Sequence, residues 1–356
     1  MTNFPFSLHP DPERHKKLPD DYELAGAEEK AQFILMREST SSWADAWRRL
    51  KKNYVAMAAF GILALIVLFS FAGPYFVPYT FEQEVRGSAN LSPMQYSETE
   101  LQKIAAGEKV FPHVFGTDMA GRDLMSRVMY GTRISLVIGV FASLIVLVIG
   151  TLYGAVSGYF GGTVDFVMMR VVEVIYSVPD MLLVLLLSAV IKEPLRAWIN
   201  TSANPLVHSL TGLGHGIVSI FIVFGLLYWV GMSRIIRGQV LMLKQQEFIT
   251  ALRALGASNS RMILKHLLPN CIGQIIVTTM MQIPSAIFLE SFLSYLGMGV
   301  SAPHASLGSM ASDALGGIYS YPSRLIIPSL LLCVMILSFN LFGDGLRDAL
   351  DPRMKK

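Results

Sequence analysis

The chain has 356 residues, 53% of them hydrophobic, and only 15% charged where soluble domains carry about a quarter. Its mean hydropathy is +0.48. This composition excludes an ordinary soluble domain. Lys and Arg gather between charge-free apolar blocks and at the ends, so the net charge of +3 bears on membrane topology rather than on nucleic acid.

Residues 1–42, including "HPDPERHKKLPDDYELAGAEEK", are polar and without sustained apolar periodicity. They predict a flexible tail, and the start of the chain lacks the apolar core of a cleaved secretory signal. A spanning helix needs about 20 mostly apolar residues, at about 1.5 Å each across a core about 30 Å thick. Six segments meet that length, near 53–77, 134–160, 164–191, 216–236, 272–297 and 325–343. The third is the most polar and is expected to kink at Pro179, which lacks a backbone donor. The stretch 192–215, broken by Pro, Asn and Gly, reads as an outer-face excursion.

An even number of spans puts both termini on one side, and the positive-inside bias chooses which. Arg48, Arg49, Lys51 and Lys52 precede the first span, Arg253, Arg261 and Lys265 lie between the fourth and fifth, and Arg347 and Arg353 follow the sixth. These regions read as cytoplasmic. The segment 78–133 then lies outside, with its basic residues balanced by acids such as Glu84, Glu100, Asp118 and Asp123.

Gly150, Gly154 and Gly158 line one face of the second span and predict close approach of a neighbouring helix. Glu173, Asp180 and Glu290 fall within apolar segments, where a charge costs about 2.5–3.5 kcal/mol. They are candidate cavity-lining residues. The alternative is local satisfaction: Glu173 by Arg170, Asp180 near the water interface, and Glu290 by Ser291, Ser294 or a neighbouring helix. Cys271 and Cys333 have no partner at metal-ligand or redox spacing and read as packing residues, and no metal site is expected. There is no phosphate loop, no dinucleotide fingerprint, no H-E-x-x-H and no G-x-S-x-G. The chain is therefore not expected to be an enzyme, and any active transport must draw on an ion gradient or on another protein.

Between spans four and five stands "TALRALGASNSRMILKHLLPN", residues 250–270. Phe248, Leu252 and Leu255 share one helical face, Gly256 supplies a left-handed stop, and Ser258 begins a second short helix bearing Met262, Ile263 and Leu267 until Pro269 ends it. This helix–turn–helix could lie on lipid or dock a cytoplasmic partner; strapped between two spans, it does not read as a DNA-binding unit.

The stretch resembles the signature loop of bacterial ABC importer permeases, in which E-A-A, three residues, G, nine residues, I, any residue and L-P recur. Here Thr250-Ala251-Leu252, Gly256, His266 and Leu268-Pro269 keep the spacing, while Thr250, Leu252 and His266 depart from the residue types. "SSWADAWRRLKKNYVAM", "FGTDMAGRDLMSRVMYGTRISLVIG" and "NLFGDGLRDALDPR" extend the resemblance to the C-type permease subunit of the oligopeptide/dipeptide importers. The N-terminal tail and residues 82–112 look longer than is usual there.

The resemblance implies an all-α polytopic membrane protein of the type I ABC importer permease fold, with six transmembrane helices and a cytoplasmic coupling helix. It implies a tail over 1–42, a leading helix and first span over 43–80, and an extracytoplasmic loop over 81–133. A five-span core over 134–346 and a cytoplasmic C-terminus over 347–356 follow. The coupling loop 245–270 would present Glu247, Phe248, Thr250, Ala251, Leu252, Gly256, Ala257, His266, Leu268 and Pro269 to one of two ATPase subunits, which would use ATP and Mg. The other partners implied are a second homologous permease, an extracytoplasmic peptide-binding protein and membrane lipid, in a bacterial cell membrane. Nickel chelates, murein peptides, opines or oligosaccharides are alternative cargoes, and a secondary transporter is the rival outside the family.

Overall fold

The structure, a computed structural model, describes residues 42–202, 214–302 and 304–350. The tail 1–41, the middle of the 192–215 stretch and residues 351–356 lie outside the described residues. The chain divides after Asp45, and residues 46–356 form one compact unit. Among the described residues there is no strand, only three isolated antiparallel bridges between Glu84 and Arg122, Gln95 and His113, and Thr117 and Asp123.

Helix α1 (Ser42–Lys52) carries Arg49, Lys51 and Lys52 in the last turn, the favourable end for positive charge. Asn53 then caps α2 (Tyr54–Phe71), its Oδ1 accepting from the Ala56 N–H at 3.1 Å. Helix α3 (Glu98–Ala105) starts with a full capping box from Ser97 and Glu100. Next come α4 (Leu124–Phe160), α5 (Gly162–Tyr176), α6 (Asp180–Thr201), α7 (His215–Leu227), α8 (Trp229–Lys244) and α9 (Glu247–Ala254). Helices α10 (Ile272–Tyr295), α11 (Leu307–Ala314) and α12 (Ser323–Leu350) complete the order.

Among the described residues, five helical segments are long and apolar enough to cross a membrane, or six if the pair α5 and α6, bent by 83°, counts as one span. That bend falls at Ser177–Pro179, where the sequence placed a kink. The second span differs from expectation at its start. It begins at Leu124 rather than near 134, so "LMSRVMYGTR" is the first part of the long helix and not a separate piece before it. Asp123 sets that start by accepting from the Ser126 N–H at 2.8 Å.

Helix α4 is the axis of the bundle. Lipid offers no hydrophobic drive for helix association, so close packing of small residues must supply it. A Cβ on Gly150 would lie 2.6 Å from Met232 Cβ, on Gly154 2.3 Å from the Ser233 carbonyl, and on Gly158 2.9 Å from the Arg237 carbonyl, so this stripe seats α8 directly on α4. Gly139 receives Ile287 of α10 in the same way. The main core gathers Ile220, Phe224, Ile236, Leu267, Leu289 and Leu293. Outward-facing Leu65 and Leu68 on α2 are 66% and 60% exposed, an arrangement suited to lipid or to another membrane protein.

Candidate functional site

The loop between α8 and α10 forms much as its residues dictate, with three differences. Helix α9 runs Glu247–Ala254, and the chain turns at Gly256 with φ +76°. Ile249, which the sequence reading passed over, is the anchor at 1% exposed, with Leu252 and Ala257 packed against the same core. Phe248 and Leu255 face outward, Leu255 at 83% exposed. Glu247, Thr250 and Ala251 are also exposed.

The first difference is that Met262, Ile263 and Leu267 are buried inside this chain, so that stripe holds the loop to the bundle and offers nothing to a partner. The second is that Ser258 occupies the cap position without a side-chain capping bond. The third concerns Pro269, which does not end the helix. Residues Met262–Leu267 take the wider π register, with the Leu268 N–H bonding to the Ile263 carbonyl. That register lets helical turns carry on through Leu268–Asn270 to α10, since π segments absorb an irregularity within a helix. His266 and Leu268 are half-buried and Pro269 is exposed. The Tyr159 hydroxyl at the end of α4 donates to Asn259 Oδ1 at 2.7 Å and ties the loop to the axis helix.

The three candidate acids separate. Glu173 is exposed and accepts from Arg170 Nη1 at 2.6 Å, one turn away. Glu290 is fully buried: Oε2 accepts from Ser135 Oγ at 2.6 Å and Oε1 from Ser294 Oγ at 2.7 Å, so it faces helices rather than a cavity. Asp180, at the first position of α6, is exposed and lines a cavity of about 580 Å³. The sequence reading missed a fourth acid. Asp165 accepts from both Nε and Nη2 of Arg237 at 2.5 Å, pinning α5 to α8. Asp165 and Arg237 carry opposite charges on two predominantly apolar helices, and that complementarity was the available signal. Of the two cysteines, Cys271 is buried and Cys333 exposed.

A second polar constellation lies in the segment preceding α4. His113 is fully buried, with Nδ1 2.8 Å from Asp123 Oδ2 and Nε2 3.1 Å from Glu100 Oε1. The Tyr79 ring stacks on the imidazole at 4.5 Å, and its hydroxyl donates to the Phe111 carbonyl at 2.6 Å. Arg127 binds Asp118 and, at 3.2 Å, Asp313, while Arg324 Nε donates to the Thr117 carbonyl at 3.2 Å. Glu100, Asp118 and Asp123 are therefore internal fastenings, and through Arg127 and Arg324 the segment is clamped onto α4 and α12.

The family described as "Binding-protein-dependent transport system inner membrane component" matches residues 150–356, and "N-terminal TM domain of oligopeptide transport permease C" matches 41–93. The chain is 40% identical to the dipeptide transport system permease protein DppC of Bacillus subtilis over 347 residues, covering 97% of each chain. It belongs to the binding-protein-dependent transport permeases. It is also 39% identical to the oligopeptide transport system permease protein OppC of the same organism, over 94% of this chain and 97% of that one. Among solved structures, a chain of the MetNI methionine ABC transporter aligns over 64% of this chain and 98% of that chain, with TM-score 0.44 and 18% identity.

This permease is a multi-pass, all-α inner membrane component of an ABC importer and is not an enzyme; in such systems ATP is hydrolysed by separate ATPase subunits. Partnership with ATPases and with a substrate-binding protein comes with the family. Among the described residues, no group of three or more His, Cys, Asp or Glu side chains is placed to hold a metal ion.

Proposed function

We propose that this permease is a transmembrane subunit of an ATP-driven peptide importer, forming half of the translocation pathway beside a second homologous permease. The 40% identity to a dipeptide transport permease over 97% of the chain carries the reading of the cargo. Both termini and the loop 245–270 lie in the cytoplasm in this reading, and residues 81–133 face outward. The loop docks in a groove of one ATPase subunit. Exposed Phe248 and Leu255 supply its apolar contact, and buried Ile249 and Leu267 make it stiff enough to transmit a push to α8 and α10. An isolated eight-residue helix would be marginal in water, so this anchoring is what lets α9 act as a lever. Thr250, where the family carries an acid, leaves the docking to shape rather than to a charge at that position.

The test is purification of the chain with its native partners, their identification by mass, and measurement of ATP turnover and peptide uptake in proteoliposomes with and without the binding protein. Peptide-stimulated turnover that needs the binding protein is expected. Uptake that persists without the ATPase subunits would favour a secondary transporter instead.

A further inference from the structure

The break between α5 and α6 opens a cavity of about 580 Å³, within the range of about 300–1,000 Å³ typical of small-ligand sites. Its wall has a consistent chemistry. Ile175, Val178, Leu183 and Leu227 are among its apolar members, and Ser177, Asp180, Tyr228, Gln282 and Ser285 its polar ones. Asp180 is the single charged residue of that lining.

Its carboxylate Oδ1 accepts from the Met181 N–H at 2.9 Å, a bond to its own helix. No Lys, Arg or His among the described residues forms an ion pair with it. The other acids beside it in the bundle are matched: Asp165 by Arg237 and Glu173 by Arg170. Arg234 of α8 lies over the Tyr176 ring at 4.3 Å, a cation–π contact. Asp180 is exposed at the first turn of α6, so its carboxylate is open to a counter-charge from whatever enters the cavity.

We propose that Asp180 receives the cationic amino terminus of the peptide as it passes through the permease. The inference rests on the peptide reading of the cargo. A peptide's α-ammonium, with an unperturbed value of about 7.7–8.0, is largely protonated at neutral pH and is the one cation shared by peptides of every sequence. Gln282, Ser285 and the Tyr228 hydroxyl supply hydrogen-bonding groups for backbone amides. The apolar remainder of the wall accepts side chains without selecting a particular one. The site thus fixes what is common to peptides and tolerates what varies.

The experiment uses the complete importer in proteoliposomes, with trialanine and its des-amino analogue propionyl-alanyl-alanine as cargoes. Uptake is normalised to the loading of the binding protein with each. The wild-type importer is expected to favour trialanine, Asp180→Asn to lower that preference about tenfold, the size of one charge-assisted hydrogen bond, and Asp180→Glu to keep it. A wild-type importer without preference overturns the assignment, as does a preference unchanged in Asp180→Asn. Equal loss of both cargoes in that variant also overturns it, and would mean that Asp180 pairs with a basic group of the neighbouring permease. Failure of the wild type to import either peptide overturns the peptide reading itself.

Discussion

Ser135 on α4 donates to Glu290 on α10 at 2.6 Å, joining residues 155 apart in the chain inside the membrane bundle. Ser294 and Ser291 donate to the same carboxyl group at 2.7 and 3.3 Å. Every oxygen of Glu290 is thereby matched by a hydroxyl, which is what makes a fully buried acid tolerable there. Glu290→Gln keeps the shape and most of these bonds, and is expected to transport peptide near the wild-type rate. Glu290→Leu strands the hydroxyls and should lower stability by about 2–4 kcal/mol, read as a drop in the melting temperature of the detergent-solubilised complex. A Gln variant that folds but transports nothing would move Glu290 from packing to mechanism.

Gly154 tests the seating of α8 on α4. An added methyl would sit 2.3 Å from the Ser233 carbonyl, which is backbone and cannot swing aside. Gly154→Ala should destabilise by about 1–3 kcal/mol. Gly238 on α8 has nothing within 4 Å of an added Cβ, so Gly238→Ala should be neutral or stabilising by about 0.5–1 kcal/mol. Melting curves of the two variants should move apart, and equal shifts would contradict the close contact.

At Gly256 the constraint is conformational. Its φ is +76°, yet an added Cβ meets nothing within 4 Å. Asn, which tolerates the left-handed region, should support uptake. Val should strain the turn by about 1–2 kcal/mol or more and reduce uptake with little change in the amount of protein in the membrane. Uptake assays paired with quantitative blotting decide this, and normal uptake by the Val variant counts against a rigid turn.

The His113 constellation predicts a pH optimum for the order of the segment before α4. Burial would lower the histidine's value, but the hydrogen bond to Asp123 and the charges of Glu100 and Asp123 outweigh it and raise it above 6.5. Burial pushes Glu100 up, but bonds from Ser97 and the charge of His113 prevail and bring it below 4.5. Tyr79 is pushed up to about 12, first by burial and then by the charges of Glu100 and Asp123, so it stays neutral across this range. A raised histidine stabilises fully below its unfolded value, and that contribution is lost as pH rises through the folded one. A lowered carboxylate stabilises above its unfolded value, and is lost as pH falls through the folded one. Order should therefore be greatest between about pH 4.5 and pH 6.5. Hydrogen exchange of residues 79–123, corrected for intrinsic rates, should show weaker protection at about pH 9 than at about pH 6. His113→Gln should remove most of that alkaline difference, and a wild-type profile flat across the range would exclude the linkage.

Much of the bundle is legible because a spanning helix needs only length and apolarity. The segments expected over 53–77 and 272–297 correspond to Tyr54–Tyr75 and Ile272–Tyr295. The start of α4 was not legible, because Arg127 and Arg133 read as loop charges until Asp118 and Asp313, from other elements, are seen to neutralise Arg127. Pro269 read as a stop for a similar reason: local rules say that proline breaks a helix, and only the surrounding packing selects the π register that carries the chain past it.

By itself the sequence determined a membrane class, the positions of the apolar spans, the glycine stripe of α4 and the turn at Gly256, all of which follow from local composition and spacing. The tertiary structure alone showed how differently Glu173, Asp180 and Glu290 are surrounded. The cost of a buried charge depends on which donors stand beside it, and those donors arrive from helices up to 155 residues away. One acid is matched within its own helix and one by serines across the bundle. The third, Asp180, is left facing an open cavity.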